Sequence, residues 1–287
     1  MRDSFSVRFF GVRGSIATAG AATAAVGGNT SCVELTCGDE RIILDAGTGL
    51  RPLGAELAKL GQVRASLLLS HFHWDHLQGF PFFVPAYVPG NRLAVWGCLD
   101  QAGDLDAAVR RALAAQMAPP HFPVGLETMR ASLSFHGVRP GGVFQIGSVT
   151  VRTASLRHPN GGAAYRLDWG GRSVVYATDT EHDGESGELD RGLCRLAEGA
   201  DLLIYDAQYT PEEYRRHVGW GHSTAEEGAR LAAAAGVAQL VLFHHDPGHD
   251  DWQVARIEAA TRARFPGTVA AREGLVIELP AACQAAA

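Results

Sequence analysis

The sequence predicts an α/β domain in which mixed β-sheets are covered by helices. Short β-like runs dominate the first part of the chain, and helix–strand pairs follow later. No composition break, linker or repeat of roughly 20–50 residues interrupts this order. The expectation is therefore one domain over residues 1–287, with the tail AACQAAA (281–287) frayed.

The early strands are FSVRFFG, SCVELTC and RIILDAG, and the last of them ends in the polar turn Asp45–Gly49. LRPLGAELAKL then has helical spacing of Leu50, Leu53, Leu57 and Leu60, with Gly61 as a stop. ASLLLS is a short apolar strand leading into SHFHWDH, and RLAVWG is another. Asp104–Met117 reads as a helix, followed by the loop APPHFPVG. SLSFHG, VFQIG, VTVRTASL, AAYRLDWG and SVVYATD return to strand patterning. GELDRGLCRLAEG is a helix closed by Gly199, and DLLIYDA a buried strand. Ser223-Thr-Ala-Glu226 reads as a capping box opening a helix through Ala235, with Gly236 at its end. QLVLFHH and DDWQVARIEAATRARF complete the pattern as a strand and a helix.

Composition narrows the function classes. The chain has 287 residues, 46% of them hydrophobic and 20% charged, with a net charge of −6. With no basic block it lacks the electrostatic footprint of a polyanion binder, so nucleic acid is not the expected partner. The N-terminus has no apolar core of a secretory signal, and no run approaches a membrane span. Five scattered cysteines form neither a CxxC pair nor a disulfide framework, so reduced thiols and a cytoplasmic location are expected.

The chemistry concentrates in SHFHWDH. Imidazole and carboxylate suit zinc and its neighbours. His71 and His73 are two positions apart and face the same way on an extended segment, while Asp75 and His76 follow in the turn. One loop can therefore serve two metal ions. His71-Phe-His73-Trp-Asp75-His76 resembles the signature of the metallo-β-lactamase fold, and further parts follow in that family's order from about Phe5 to Pro247. The resemblance implies an αββα sandwich of two mixed β-sheets flanked by helices, with the metals at one sheet edge. It implies that Asp45 buttresses the site and His158 completes the first metal's ligands. It also implies that Asp179 bridges both ions and His244 completes the second set. His244 and His245 are adjacent, strand alternation sends them to opposite faces, and His245 stays the alternative ligand. Asp246 and His249 are candidates to support that ligand.

Within the superfamily, LLIYDAQY and GWGHSTAEE resemble the phosphodiesterase branch, which includes RNase Z and the PhnP cyclic-phosphate phosphodiesterase. That resemblance implies His222 as general acid, held by Asp206 where RNase Z carries glutamate, with an additional metal ligand as the other role for His222. It implies a metal-bridging hydroxide as nucleophile, Asp75 contributing to both metal binding and catalysis, and a possible homodimer. The expected cofactors are two divalent ions, zinc first, then manganese, iron, cobalt or nickel. The expected substrate is a small or cyclic phosphodiester. Lactone or aryl sulfate hydrolysis is the alternative. RNase Z-type tRNA processing ranks lower, because the 21 positions from His158 to Asp179 leave no room for that enzyme's tRNA-gripping arm. The loops Phe10–Ser15 and Gly27–Cys32, and His121 with Phe122, are candidate pocket borders, while His136, His182 and His217 read as surface or packing histidines.

Overall fold

The computed structural model describes residues 4–184 and 187–280, so the expected fraying of the 281–287 tail lies outside the described residues. The first half runs β1 (Ser4–Gly11), β2 (Cys32–Cys37), β3 (Glu40–Leu44), α1 (Leu50–Leu57), β4 (Arg64–Leu69), β5 (Arg92–Cys98), α2 (Leu105–Gln116) and β6 (Ser132–Val138). Then come β7 (Val143–Ile146), β8 (Val149–Ser155), β9 (Ala163–Trp169), β10 (Arg172–Ala177), α3 (Arg191–Ala197), β11 (Leu202–Asp206) and α4 (Pro211–Tyr214). The chain continues with α5 (Ala225–Ala234), β12 (Gln239–Phe243), α6 (Asp251–Arg262), β13 (Thr268–Ala270) and β14 (Val276–Pro280).

Two seven-stranded sheets form, in the orders β14-β1-β2-β3-β4-β5-β6 and β13-β12-β11-β10-β9-β8-β7. Each is half antiparallel and half parallel, with β3 to β6 and β10 to β13 as the parallel runs. The sequence explains the layering. Ile42, Leu44 and Leu68 face the apolar space between the sheets, where they meet Tyr165, Val174, Tyr176, Ile204 and Phe243. Their neighbours Ile43, Leu67 and Leu69 face the other way, under α1 and α2. Leu203, Tyr205, Leu240 and Leu242 do the same beneath α3 and α5. Strands buried on both faces need continuous apolar runs, and the parallel strands have them. The result is the expected αββα sandwich.

Two local expectations are corrected. The α5 cap is Thr224, whose side chain accepts the Glu227 N–H; Ser223 Oγ instead bonds Tyr205 and His182. Helix α3 starts later than its pattern, because Asp190 accepts the N–H groups of Gly192 and Leu193. The edge strands β13 and β14 and the one-turn helix α4 are too short for periodicity in the sequence to mark them. No helix among the described residues is long and apolar enough to cross a membrane.

Candidate metal centre

The chemistry gathers where several strands end at one edge of the sandwich. Asp45 follows β3, His71 follows β4, His158 follows β8, Asp179 follows β10, and His244 follows β12. Parallel strands present their carboxyl ends together, which brings residues far apart in sequence to one cleft. Asp45, Asp179 and His244 have φ of 60°, 54° and 59°. A non-glycine residue rarely adopts this left-handed conformation, and it ends strand alternation at the position where a ligand has to turn.

Four overlapping groups of donors result among the described residues: two contain His222, with His158 and Asp179 or with Asp206 and His244, and the other two hold the expected ligands. His71, His73 and His158 each offer a nitrogen within 4.8 Å of the others. Asp75, His76, Asp179 and His244 form the second group. Here His76 Nε2 lies 3.2 Å from Asp75 Oδ2, 3.3 Å from Asp179 Oδ2 and 3.3 Å from His244 Nε2. His244 Nε2 is 3.3 Å from both carboxylate oxygens. Ligands at about 2.0–2.1 Å around a tetrahedral ion stand about 3.3–3.4 Å apart. Five donor–donor distances match that spacing, so the second group fits a small divalent ion. Asp179 Oδ2 belongs to this group, while its Oδ1 lies 3.8 Å from both His71 Nε2 and His158 Nε2. One carboxylate therefore faces both groups.

The surroundings fit the same reading. His71 Nε2 is buried without a hydrogen-bond partner, a cost that an ion would relieve. Burial pushes His71 well down, and His73 and His158 down, favouring the neutral imidazole that binds metal. Burial opposes a charged His76 as well, yet the carboxylates of Asp179, Asp75 and Asp45 raise it far above its usual range. That pocket is organised for positive charge. Desolvation would raise Asp179, but His244, His76 and His71 hold it well below the usual carboxylate range.

The second nitrogen of each histidine is engaged, which fixes ring orientation. His76 Nδ1 donates to Asp45 Oδ2 at 2.7 Å, and His158 Nδ1 donates to Gly221 O at 2.9 Å. His244 Nδ1 donates to Gln208 Oε1 at 2.9 Å, Ser70 Oγ lies 3.0 Å from His71 Nδ1, and Asn160 sits 3.2 Å from His73 Nε2. Asp45 is fully buried and also accepts Ser70 N–H, Ser70 Oγ–H and the Tyr176 hydroxyl. His245 turns away to Ala271 O, and burial pushes it down to about 3.

Beside these donors stands a different pair. His222 Nδ1 lies 2.9 Å from Asp206 Oδ2, so the shorter aspartate makes the contact. Thr180 N–H and Gln208 N–H also donate to Asp206. Burial disfavours the His222 imidazolium, but the Asp206 carboxylate outweighs it and lifts the group to about 9. His222 stacks on His244 with centroids 5.0 Å apart, and its Nε2 is left for the cleft.

The Phe10–Ser15 loop does border the site: Ser15 N–H donates to Asp75 Oδ2 at 2.9 Å. Gly14 is required there, since a Cβ would stand 2.4 Å from His244 Nδ1. The Gly27–Cys32 loop lies behind it, where Gly27 O takes the Arg13 guanidinium and Thr30 bonds Thr48. His121 and Phe122 line an apolar groove with Phe72, Trp74 and Phe82 on the outer side of the ligand loop. Asp246 bonds Gly248 N and His249 pairs with Glu213, so both turn away from the ligand His244 was expected to be. His136 stacks on Trp96, His217 on Tyr209, and His182 packs on Tyr214. Ser70, Tyr176 and Gln208 lie inside the quoted stretches SHFHWDH, SVVYATD and LLIYDAQY, yet their types alone do not announce a supporting role, and Glu181 has no local pattern either.

The family model described as "Beta-lactamase superfamily domain" matches residues 40–245. The chain is 27% identical to ribonuclease Z of Ignicoccus hospitalis over 263 residues, covering 80% of this chain and 86% of that protein. It is 25% identical to ribonuclease Z of Synechococcus sp. (strain CC9311) over 324 residues, covering 95% and 98%. Among solved structures, the metallo-β-lactamase fold protein YhfI of Bacillus subtilis superimposes with TM-score 0.70 at 21% identity, covering 97% of this chain and 100% of that one. A diphosphatase from the PhnP family gives 0.67 at 16%, covering 96% and 98%. The short form of human tRNase Z gives 0.66 at 18%, covering 96% and 99%. These three structures share the fold.

Proposed function

The chain belongs to the β-lactamase superfamily of metallo-hydrolases, and from that premise we propose that it is a dinuclear metal-dependent phosphodiesterase acting on small or cyclic phosphodiesters. The observation that carries the reading is the Asp206–His222 pair: Asp206 engages His222 Nδ1 at 2.9 Å, and His222 stands within 4.8 Å of donor atoms of His158 and Asp179, so metal content of the His222 variant decides between acid and ligand.

Two divalent ions, zinc before manganese, iron, cobalt or nickel, held by His71, His73, His158 and by Asp75, His76, Asp179, His244, supply Lewis acidity toward phosphoryl oxygens and a lowered pKa for water. The remaining work falls to the protein. Water adds to phosphorus in line, and the bond from phosphorus to the leaving alkoxide breaks. That alkoxide needs a proton, and ligand imidazoles whose second nitrogens are tied to Asp45, Gly221 and Gln208 have none to give. His222 can donate from Nε2, while Asp206 holds Nδ1 and stabilises the charged ring. Asp75 keeps one oxygen on Ser15 N–H, which orients it within the second donor group.

A second reading, cleavage at an RNA end, has support of its own in the ribonuclease Z relatives. The expectation that nucleic acid is an improbable partner therefore does not stand as an exclusion. A net charge of −6 describes the whole surface, whereas the cleft would carry the charge of its metals. Against this reading, the segment between His158 and Asp179 is only the hairpin of β9 and β10.

One metal-analysed preparation assayed against a cyclic phosphodiester, a dialkyl phosphodiester, a lactone and an aryl sulfate tests the proposal. Phosphodiester turnover dominating by at least about 100-fold in kcat/KM supports it. A dominant lactone or sulfate ester would overturn it, and cleavage of a precursor tRNA at low enzyme concentration with no turnover of small diesters would favour the RNA reading.

A further inference from the structure

The motif GWGH places a tryptophan two residues before His222, and that tryptophan is 61% exposed. An exposed indole presents a large flat face that another ring can cover. Its presentation is built. Gly219 and Gly221, on either side, have φ of 87° and 86°, a conformation open to glycine and strained for other residues. The Glu181 carboxylate accepts both of their N–H groups, at 2.7 and 2.8 Å, and also the Tyr214 hydroxyl at 3.1 Å. Two left-handed residues clamped by one buttressed carboxylate hold the intervening side chain outward.

The position faces the chemistry. Gly221 O takes the His158 Nδ1–H, and His158 Nε2 is 3.0 Å from His73 Nδ1. The next residue after His73 is Trp74, itself 70% exposed. Trp74 lines the apolar groove with Phe72, Phe82 and Phe122, so Trp220 is the indole left next to the Gly221 that holds His158. Trp220 meets His217 edge-on at 4.9 Å, His217 stacks on Tyr209 at 4.6 Å, and Tyr209 meets His222 at 5.9 Å. A continuous run of rings joins the indole to the residue read as the leaving-group acid.

We propose that Trp220 is a stacking platform for a flat aromatic ring on the leaving-group side of the substrate, and that this ring is a nucleobase. The inference rests on the phosphodiesterase reading and deepens it. A ribose whose oxygen leaves beside His222 carries its base on the same side, and Trp220 is two residues from His222 and joined to it by that run of rings. Stacking on an aromatic side chain accepts any base, because each has a π-face. The base can belong to a nucleoside cyclic phosphate or to the end of a single-stranded oligonucleotide.

The test uses the metal-loaded full chain and a matched pair, adenosine 2′,3′-cyclic phosphate and the base-free glycerol 1,2-cyclic phosphate. Trp220→Ala lowers the ratio of kcat/KM for the first over the second by roughly 5- to 150-fold, the range that loss of one base–aromatic stack produces. Trp220→Phe retains part of the preference. An unchanged ratio overturns the platform while leaving the phosphodiesterase reading intact; turnover of neither substrate sinks both. Fluorescence quenching by adenosine 3′-monophosphate and by a short single-stranded RNA separates the two sources of the base. A Trp220→Ala protein that changes oligomeric state with no change in quenching would make the indole an interface between copies and overturn the proposal.

Discussion

Replacing His222 by alanine, or Asp206 by asparagine, tests how the cleft handles the leaving group. Against burial, the carboxylates of Asp206, Asp179 and Asp75 lift the His222 imidazole from 6.5 to about 9, a net preference for the charged ring of about 3 kcal/mol. At pH 7.5 such a group is over about 90% protonated, whereas an imidazole left at or below 6.5 is roughly one-tenth protonated. Asp206→Asn also turns an N–H donor toward one of three donors now satisfied, Thr180 N, Gln208 N or His222 Nδ1. Loss of a positioned general acid costs about 10²- to 10⁴-fold where the leaving group needs a proton. Nitrophenolate does not need one. For His222→Ala we therefore expect a loss of at least about 100-fold in kcat on a dialkyl phosphodiester, under about 10-fold on a bis(nitrophenyl) phosphodiester, and two metals retained. Asp206→Asn should follow the same order with a smaller separation. The assay is steady-state hydrolysis of both diesters with metal content measured on each protein. Equal losses on the two leaving groups would remove His222 from the acid role, and loss of a metal would make it a ligand.

Three other outcomes follow from the geometry. The protonated His222 is lost as pH rises, so alkyl diester turnover declines on the alkaline side at or below about 9, since metal charge nearby works against the imidazolium, while nitrophenyl diester turnover does not; coincident pH profiles would contradict this. Asp45→Asn removes acceptors from Ser70, His76 and Tyr176 in a fully buried site, and should weaken metal binding by about 10- to 100-fold and destabilise the fold by about 3–5 kcal/mol. Chelator competition and denaturant melts measure the two effects, and unchanged affinity would refute the buttress. Gly14→Ala drives a Cβ into His244 and Gln208 Oε1 and should strip the second metal by a similar factor with an unaltered circular dichroism spectrum; two metals held at wild-type affinity would argue against the contact.

The residues that were legible are those whose chemical type has few other reasons to stand at a strand end. HxHxDH after an apolar run, an aspartate after RIIL and another after VVYAT mark the site because buried strands seldom end in such groups without a purpose. The layered fold was readable because strands such as RIIL and SLLL are apolar on both faces. What could not be read depends on contacts across the chain. Tyr176 reaches Asp45 over 131 positions, and Glu181 holds amides about 40 positions away. Ser223 and Thr224 are equally good caps by type; tertiary contacts of Ser223 with Tyr205 and His182 decided between them. The left-handed turn at His244 is likewise set by its surroundings, and with it the choice between His244 and His245 as the side chain facing the donors.

The most direct measurement is a metal titration of the apoprotein followed by ³¹P NMR of a cyclic phosphodiester at each step. The account predicts that monoester formation rises with metal and saturates at two ions per chain. Saturation at one ion, or no hydrolysis with two ions bound, would contradict it.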